Sequence, residues 1–210
     1  MATPIRAIYY TDPLCAWCYA AEPMLDAVQA HFLDRIEIQY KMFPLFQDVR
    51  EVMNDPSRLW TIADRYRIVS KKTGVPINAG VWEYDSPQSA WPACEAVKAA
   101  ERQEAGALFL RQMRVAVMVE GRNIARPVVQ TECAEAVGLN LARFEKDRRD
   151  PARRDEVQAD VDDAHRENVL SRPHFILTNT QDDRVAIAGP RSVTLFKEAV
   201  EALYHEQPEP

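Results

Sequence analysis

The alternation of apolar and polar residues predicts a β-α-β unit at the start of the chain. Ile5–Tyr10 is a short apolar and aromatic run that ends at Thr11-Asp12-Pro13, as a strand entering a turn does. Pro23 lies in the early turns of the helix that follows and predicts a kink there. Ile36–Met42 then alternates apolar and polar residues, so we expect a second strand, parallel to the first. The apolar face of the intervening helix is formed by Cys18, Ala21, Leu25, Val28 and Phe32.

From Val49 to Val169 the pattern is helical, is broken by proline and glycine, and contains almost no strand signal. Strand patterns return near the end, where His174–Thr178 and Arg184–Ala188 flank a turn-like segment, which is typical of a hairpin. An amphipathic helix over 193–203 closes the chain. The helices predicted in the middle are Leu59–Val69, Ala90–Glu104, 107–118, Pro127–Val137, Asn140–Phe144 and 157–168.

Strands at both ends of the chain, with helices between them, predict an α/β protein whose sheet is assembled from distant segments. We predict that residues 1–47 and 171–206 form the core and that 48–170 form an all-helical insertion between the second and third strands. The 210 residues are sufficient for one domain with a sizeable core. The many charges of the helix over 157–168 are interpreted as a solvated face.

The composition excludes several classes of function. The six glycines are too scattered to form either of the common nucleotide-binding loops, and four cysteines are too few for a disulfide-stapled secreted fold. The net charge of −6 argues against nucleic-acid binding. No apolar run approaches the roughly 20 residues that span a bilayer, and no secretory signal begins the sequence. We therefore expect a cytoplasmic protein without a membrane or nucleic-acid partner.

The motif Cys15-Ala16-Trp17-Cys18 lies where the first strand passes to the first helix. Free N–H groups at a helix start favour an anion, so we predict that Cys15 is the nucleophilic thiolate and Cys18, more buried, the resolving thiol. The alternatives are two core cysteines, or half of a zinc site without further ligands. Cys94 and Cys133 are interpreted as packing residues, and a second disulfide is the alternative.

Five segments carry a resemblance to a known family: Asp12–Tyr19, Ser89-Ala90, Ala96–Glu101, Glu120–Ile124 and the strand after Pro173. They look like the DsbA family of thioredoxin-fold proteins, and more narrowly like its bacterial cytosolic branch, which carries a helical insertion. The resemblance covers nearly the whole chain. It implies a thioredoxin-like fold and thiol-disulfide chemistry carried by Cys15 and Cys18. It also implies a cis-proline at Pro173, packed against the dithiol, with the backbone of Arg172 facing a bound peptide.

Two features depart from the family pattern. Arg172 stands where many members have a small apolar or hydroxyl residue. Its guanidinium is a candidate to stabilise the Cys15 thiolate or to bind an acidic substrate group, and the alternative is a side chain in solvent. Ala16 and Trp17 stand where the periplasmic oxidants have a histidine, so we do not expect a strong oxidant of that type. Trp17 is a candidate for an apolar substrate groove, although such aromatic residues more often belong to the core.

The sequence favours a cytoplasmic thiol-disulfide oxidoreductase acting on protein or small-molecule disulfides, glutathione among them, without a metal or cofactor. A second interpretation is a glutathione-linked kappa-class transferase or isomerase of the same fold, but those proteins typically have serine at the position of Cys15. A third is non-enzymatic, because some cytosolic relatives are adaptors that hand a partner protein to a protease. Sequence alone does not separate the first interpretation from the third.

Overall fold

A four-stranded sheet joins the two ends of the chain. The structure is a computed structural model that describes residues 5–53 and 61–205. The strands are β1 (Ile5–Thr11), β2 (Ile36–Met42), β3 (His174–Thr178) and β4 (Arg184–Ala188), and they lie in the order β2-β1-β3-β4. β1 pairs with β2 in parallel and with β3 antiparallel, and β3 and β4 form the predicted hairpin. The prediction of a sheet assembled from distant segments is therefore confirmed.

The connection from β1 to β2 contains two helices, α1 (Ala16–Ala20) and α2 (Glu22–Phe32), followed by a 3₁₀ turn. The sequence predicted one kinked helix, whereas the structure has a break at Ala21. Pro23 lies in the first turn of α2, where a missing N–H costs no helical hydrogen bond. Cys18 consequently lies on a helix of only five residues.

Between β2 and β3, the residues that the structure describes form helices and loops, as predicted. Two short helices in the described part of this region, α3 (Val49–Met53) and α5 (Val81–Tyr84), were not predicted from periodicity. Residues 59 and 60, which begin the first helix predicted here, lie outside the described ranges. No helix of 5–53 or 61–205 has the length and apolar content needed to span a bilayer. The helices are α3 (Val49–Met53), α4 (Ile62–Thr73), α5 (Val81–Tyr84), α6 (Trp91–Glu101), α7 (Gly106–Met118), α8 (Pro127–Ala136), α9 (Leu141–Arg149) and α10 (Ala152–Arg166), and α11 (Val193–His205) closes the chain.

The two faces of the sheet are covered by different helices. Residues of β1 alternate between them, because successive side chains of a strand point to opposite sides. Tyr9 packs among residues of α2 and α11, such as Val28 and Phe196. Tyr10 faces the other way, towards α10, in a cluster that includes Ala164. β1 is therefore buried on both faces at its carboxyl end, where the cysteine motif follows.

The charged helix α10 is not a purely solvated face, which corrects the sequence interpretation. Asp160 Oδ2 accepts a hydrogen bond from the backbone N–H of Met42 at 2.8 Å and pairs with Lys98 Nζ at 2.7 Å. Asp163 pairs with Lys41 and accepts a hydrogen bond from Tyr10 Oη at 2.6 Å. These carboxylates fasten the insertion to β1 and β2.

The largest apolar cluster spans the predicted boundary between core and insertion. It contains Leu14 and Ala16 from the cysteine segment together with residues of α6 and α7, such as Val97 and Met113. The division at residues 48 and 170 stays a prediction. The cysteine motif is packed directly on the insertion helices.

Candidate active site

The segment that carries the cysteines is held by a buried carboxylate, Asp12. Its Oδ1 accepts a hydrogen bond from Leu14 N at 2.5 Å, and its Oδ2 accepts one from Leu45 N at 2.6 Å. Burial raises the pKa of Asp12 to about 6, although the Arg172 charge and these hydrogen bonds oppose the rise. From the sequence, Asp12 was expected in a turn and in the segment that resembles the family, but not as the carboxylate that ties the cysteine segment to the loop after β2.

Helix α4 also holds the cysteine segment in place. Thr61 and Asp64 form a capping box that fixes the start of this helix, a signal readable from their three-residue spacing. Tyr66, one turn on, is buried, and its Oη donates a hydrogen bond to the carbonyl of Leu14 at 2.6 Å. The residue before Cys15 is thus positioned by the insertion.

Cys15 and Cys18 both carry free thiols, but their access differs. Cys15 immediately precedes α1 and is 4% exposed, whereas Cys18 lies inside α1 and is 0% exposed. Cys15 also lines an apolar pocket of about 170 Å³. A ligand in this pocket reaches the sulfur of Cys15. The other side chains around the pocket include Leu14, Trp17, Leu45, Phe46, Ile62, Tyr66 and Val69.

Trp17 lies between the apolar core and the pocket, and its role in binding a substrate stays a prediction. Its side chain is half-buried, lines the pocket beside Cys15 and packs against two of the apolar clusters. It therefore contributes to the core and to the pocket wall at once.

Arg172 contacts Cys15 through its backbone. The peptide bond between Arg172 and Pro173 is cis, and Cys15 Sγ donates to the Arg172 carbonyl oxygen over 3.7 Å. The guanidinium takes other partners: its Nη2 donates to the Pro44 carbonyl at 2.8 Å, and its central carbon lies 4.0 Å from the centre of the Phe43 ring. The Arg172 side chain is thus partly buried and held against the loop after β2.

The two thiols ionise unequally. Burial opposes ionisation of Cys18, but the neighbouring Cys15 thiol and the positive charge of Arg114 outweigh it and lower the pKa of Cys18 to about 7. Burial, together with the neighbouring Cys18 thiol, raises the pKa of Cys15 well above its usual value. The two thiols therefore titrate as a pair. That Cys15 is the attacking thiolate stays a prediction, and α1, with five residues, supplies only a weak dipole to it.

Arg114 is a buried cation that contacts the Asp12 carbonyl, just before the cysteine motif, and the sequence did not single it out. It lies in α7, about one turn after Leu110 and just before Val117, and its side chain is 1% exposed. An arginine within an apolar helical stripe was the available signal, because charged residues are rarely buried without a partner. Its partner is Glu22, whose Oε1 lies 2.9 Å from Arg114 Nη1.

The remaining cysteines are packing residues, as predicted. Cys94 is 0% exposed and Cys133 is 1% exposed, both thiols are free, and burial raises the pKa of each. Within 5–53 and 61–205, no cluster of three His, Cys, Asp or Glu side chains is arranged to hold a metal ion.

A family model described as thioredoxin matches residues 9–198. The chain belongs to this thioredoxin family. The thioredoxin-like fold that the sequence resemblance implied is therefore confirmed. Among solved structures, the cytosolic disulfide reductase DsbM from Pseudomonas aeruginosa superimposes with a TM-score of 0.74 at 23% identity, covering 96% of this chain and 98% of that chain. The same protein with GSH gives a TM-score of 0.71 with the same identity and coverage.

Curated relatives within the thioredoxin family carry a different description. The ClpXP adapter protein SpxH of Bacillus subtilis (strain 168) is 27% identical over 217 residues, which cover 99% of this chain and 70% of that protein. SpxH of Halalkalibacterium halodurans is 23% identical over 213 residues, covering 98% of this chain and 70% of that protein. The proteins similar to this one are thus described in two ways, DsbM as a disulfide reductase and SpxH as an adapter.

Proposed function

We propose that this protein is a cytosolic thiol-disulfide oxidoreductase in which Cys15 attacks a substrate disulfide and Cys18 resolves the mixed disulfide. The observation that carries the proposal is the unequal access of the two free thiols. Cys15 lines the pocket, whereas Cys18 is fully buried behind it. A cytosolic location rests on the description of DsbM as a cytosolic disulfide reductase.

The arrangement supports a balanced reduction in two steps. Cys15 passes its proton to the Cys18 thiolate as its sulfur attacks the substrate disulfide, so a Cys15–substrate disulfide forms and a substrate thiolate leaves. Cys18 then loses that proton and attacks Cys15 Sγ, which forms the Cys15–Cys18 disulfide and releases the second substrate thiolate. One leaving thiolate takes up the proton that Cys18 loses, the other takes up a proton from solvent, and the protein gives up two electrons.

Substrate binding is proposed for three residues around Cys15. Trp17 lines the apolar wall of the pocket. The Arg172 carbonyl oxygen accepts the hydrogen bond from Cys15 Sγ, and Pro173 follows Arg172 across the cis peptide bond. An apolar side chain beside the substrate cysteine fits these walls. Glutathione and protein disulfides are the proposed substrates, and the complex of DsbM with GSH supports the first.

The test is reduction of insulin and of glutathione disulfide by wild-type protein and by Cys15→Ser, Cys18→Ser and Cys133→Ala variants. We expect Cys15→Ser to abolish turnover. Cys18→Ser should accumulate a mixed disulfide that mass spectrometry detects. Cys133→Ala is the matched control, because it removes a buried thiol distant in sequence from the motif, and its turnover should equal that of the wild type. Turnover that survives Cys15→Ser contradicts the proposed nucleophile.

A second candidate function is that of a protease adapter, favoured by the SpxH relatives that match almost the whole chain. In that case partner binding, rather than turnover, is the activity. The Cys15→Ser/Cys18→Ser double variant distinguishes the two functions. An adapter keeps delivering its partner to ClpXP without the dithiol, whereas the oxidoreductase loses its activity entirely.

A further inference from the structure

The pocket beside Cys15 lies between the cysteine segment and two helices that take no part in the reaction as described so far. Neither Arg172 nor Pro173 is among the described residues that line it. The pocket is thus distinct from the cis-proline loop that contacts Cys15 Sγ. Its walls come from the cysteine segment, the loop after β2, α3 with Val52, and α4 with Ile62, Arg65 and Val69.

The walls of this pocket favour an apolar occupant. Tyr66 is the lining residue with a hydroxyl, and that hydroxyl already donates to the Leu14 carbonyl at 2.6 Å. Among the described lining residues, only the half-buried Arg65 is permanently charged. A polar group that entered the pocket would lose its hydrogen bonds to water and find few partners in the walls. The charge of Arg65 also disfavours a basic occupant.

The size of the pocket matches a single large side chain. Its volume is about 170 Å³. An apolar cavity of about 150 Å³ lined by leucine, isoleucine and phenylalanine binds benzene, so a phenyl ring fits a pocket of this size. Trp17 and Phe46 are both in the wall, and aromatic rings pair favourably with one another beyond the area that they bury.

We propose that this pocket is a specificity subsite for an aromatic side chain next to the reactive cysteine of a peptide disulfide. The inference rests on the proposed function in one respect, that Cys15 forms the mixed disulfide. Because Cys15 is itself part of the wall, a substrate sulfur bonded to Cys15 Sγ brings the neighbouring residue of its chain to the pocket. Glutathione carries only a γ-glutamyl and a glycyl group beside its cysteine, so it leaves the pocket empty. Peptide disulfides with an aromatic neighbour are therefore preferred to glutathione disulfide.

The test is an exchange equilibrium in the Cys18→Ser variant, where a mixed disulfide at Cys15 is not resolved. The variant with glutathione on Cys15 is equilibrated with two free peptides, acetyl-Ala-Cys-Phe-amide and acetyl-Ala-Cys-Ala-amide. Each exchange breaks one protein–glutathione disulfide, forms one protein–peptide disulfide and releases glutathione as the thiol. Mass spectrometry of the intact protein gives the ratio of the two peptide adducts, and exchange of each peptide with glutathione disulfide corrects for its intrinsic reactivity.

We expect the phenylalanine peptide to be favoured over the alanine peptide by about tenfold or more, because burial of a large apolar side chain is worth at least that factor. Glutathione should bind Cys15 no better than the alanine peptide. A second pair, with phenylalanine or alanine before the cysteine, tests the other neighbouring position. A ratio near one at both positions, or a glutathione adduct as stable as the phenylalanine adducts, overturns the inference.

Two tryptophan variants in the Cys18→Ser background test the place of binding. Ile62→Trp fills the pocket with a ring of the protein itself and should bring the ratio close to one. Leu108→Trp is the matched control, because Leu108 lies on α7, is 55% exposed and does not line the pocket, and it should keep the ratio. A ratio that Ile62→Trp leaves unchanged overturns the inference. If Ile62→Trp does not fold, Val52→Trp fills the same pocket from α3 and decides.

The exchange needs no turnover, so the two proposals fail separately. Selective exchange at Cys15, together with turnover that survives Cys15→Ser, rejects the proposed nucleophile and keeps the subsite. Turnover that depends on Cys15, together with a ratio near one, rejects the subsite alone. Failure of Cys15 to form any mixed disulfide overturns both.

Discussion

The pH dependence of disulfide resolution follows from the environment of Cys18. Its pKa is lowered from the ordinary value of 9.0 to about 7. A thiol with a pKa of 9 is about 1% ionised at pH 7, whereas one with a pKa of 7 is about half ionised, a difference of roughly fifty-fold. Because the pKa is depressed, the thiolate is present above this pH and is lost as the pH falls through it. We therefore expect the dithiol to titrate near pH 7.

The mixed disulfide should titrate at a higher pH than the dithiol. In that state Cys15 no longer carries a proton, so the effect of its thiol, the largest of those that lower the pKa of Cys18, is absent. The charge of Arg114 and the Thr11 hydroxyl remain. The midpoint in the mixed disulfide is thus expected above that of the dithiol, which is about 7.

The assay has two arms. Ultraviolet absorbance of the reduced wild-type protein gives the dithiol titration, to which Cys133 does not contribute at neutral pH because burial raises its pKa to about 11. In the second arm, the mixed disulfide between Cys15 and glutathione is mixed rapidly with buffers of different pH. The release of glutathione is then followed over time and gives the rate of resolution. The rate of resolution should rise tenfold per pH unit up to the midpoint of the mixed disulfide and level off above it. A rate that already levels off below pH 7, or a dithiol without thiolate at neutral pH, refutes the reasoning.

Three further predictions concern what holds the site in place, each measured as the free energy of unfolding in urea. Tyr66→Phe should cost about 1–3 kcal/mol, because the buried Leu14 carbonyl loses its donor; an unchanged value would mean that water replaces it. Phe144→Ala, which empties a fully buried position, should cost about 3–5 kcal/mol, and a loss under about 1 kcal/mol would argue against tight packing of α9. Lys98→Met should lower the free energy of unfolding by about 3–5 kcal/mol, because it leaves Asp160 buried without its cation. Adding Asp160→Asn to this variant should recover part of the lost stability. If the losses of the two single variants simply add in the double variant, the pairing is contradicted.

Local pattern was sufficient for most of the secondary structure. The hairpin strands begin and end where alternation predicts, because side-chain direction in a strand depends only on neighbouring residues. The break at Ala21 was not predicted, since Pro23 is compatible both with a kink and with the first turn of a new helix. The acidic residues of α10 that bind β2 were also missed, because a helical pattern of charges does not reveal which charges meet a partner far along the chain.

The features of the candidate site were likewise predicted only in part from the sequence. Cys15, Cys18 and Pro173 were found from short motifs, because their relation is local or is implied by the family. The ionisation of the pair was not, because it depends on Arg114, about a hundred residues along the chain from the motif. A helix of five residues follows Cys15 and supplies only a weak dipole. The positive charge of Arg114, which the motif itself does not contain, lowers the pKa of Cys18.

The helical insertion consequently belongs to the dithiol site. Tyr66 of α4 donates a hydrogen bond to the Leu14 carbonyl, and Arg114 of α7 contacts the Asp12 carbonyl, so two helices of the predicted insertion reach the cysteine segment. The partner of Arg114 is Glu22, which belongs to the β1–β2 connection. Removing the predicted insertion would therefore leave Glu22 without its cation and would remove the positive charge that lowers the pKa of Cys18. A smaller thioredoxin-like domain built from residues 1–47 and 171–206 alone would need another source for that charge.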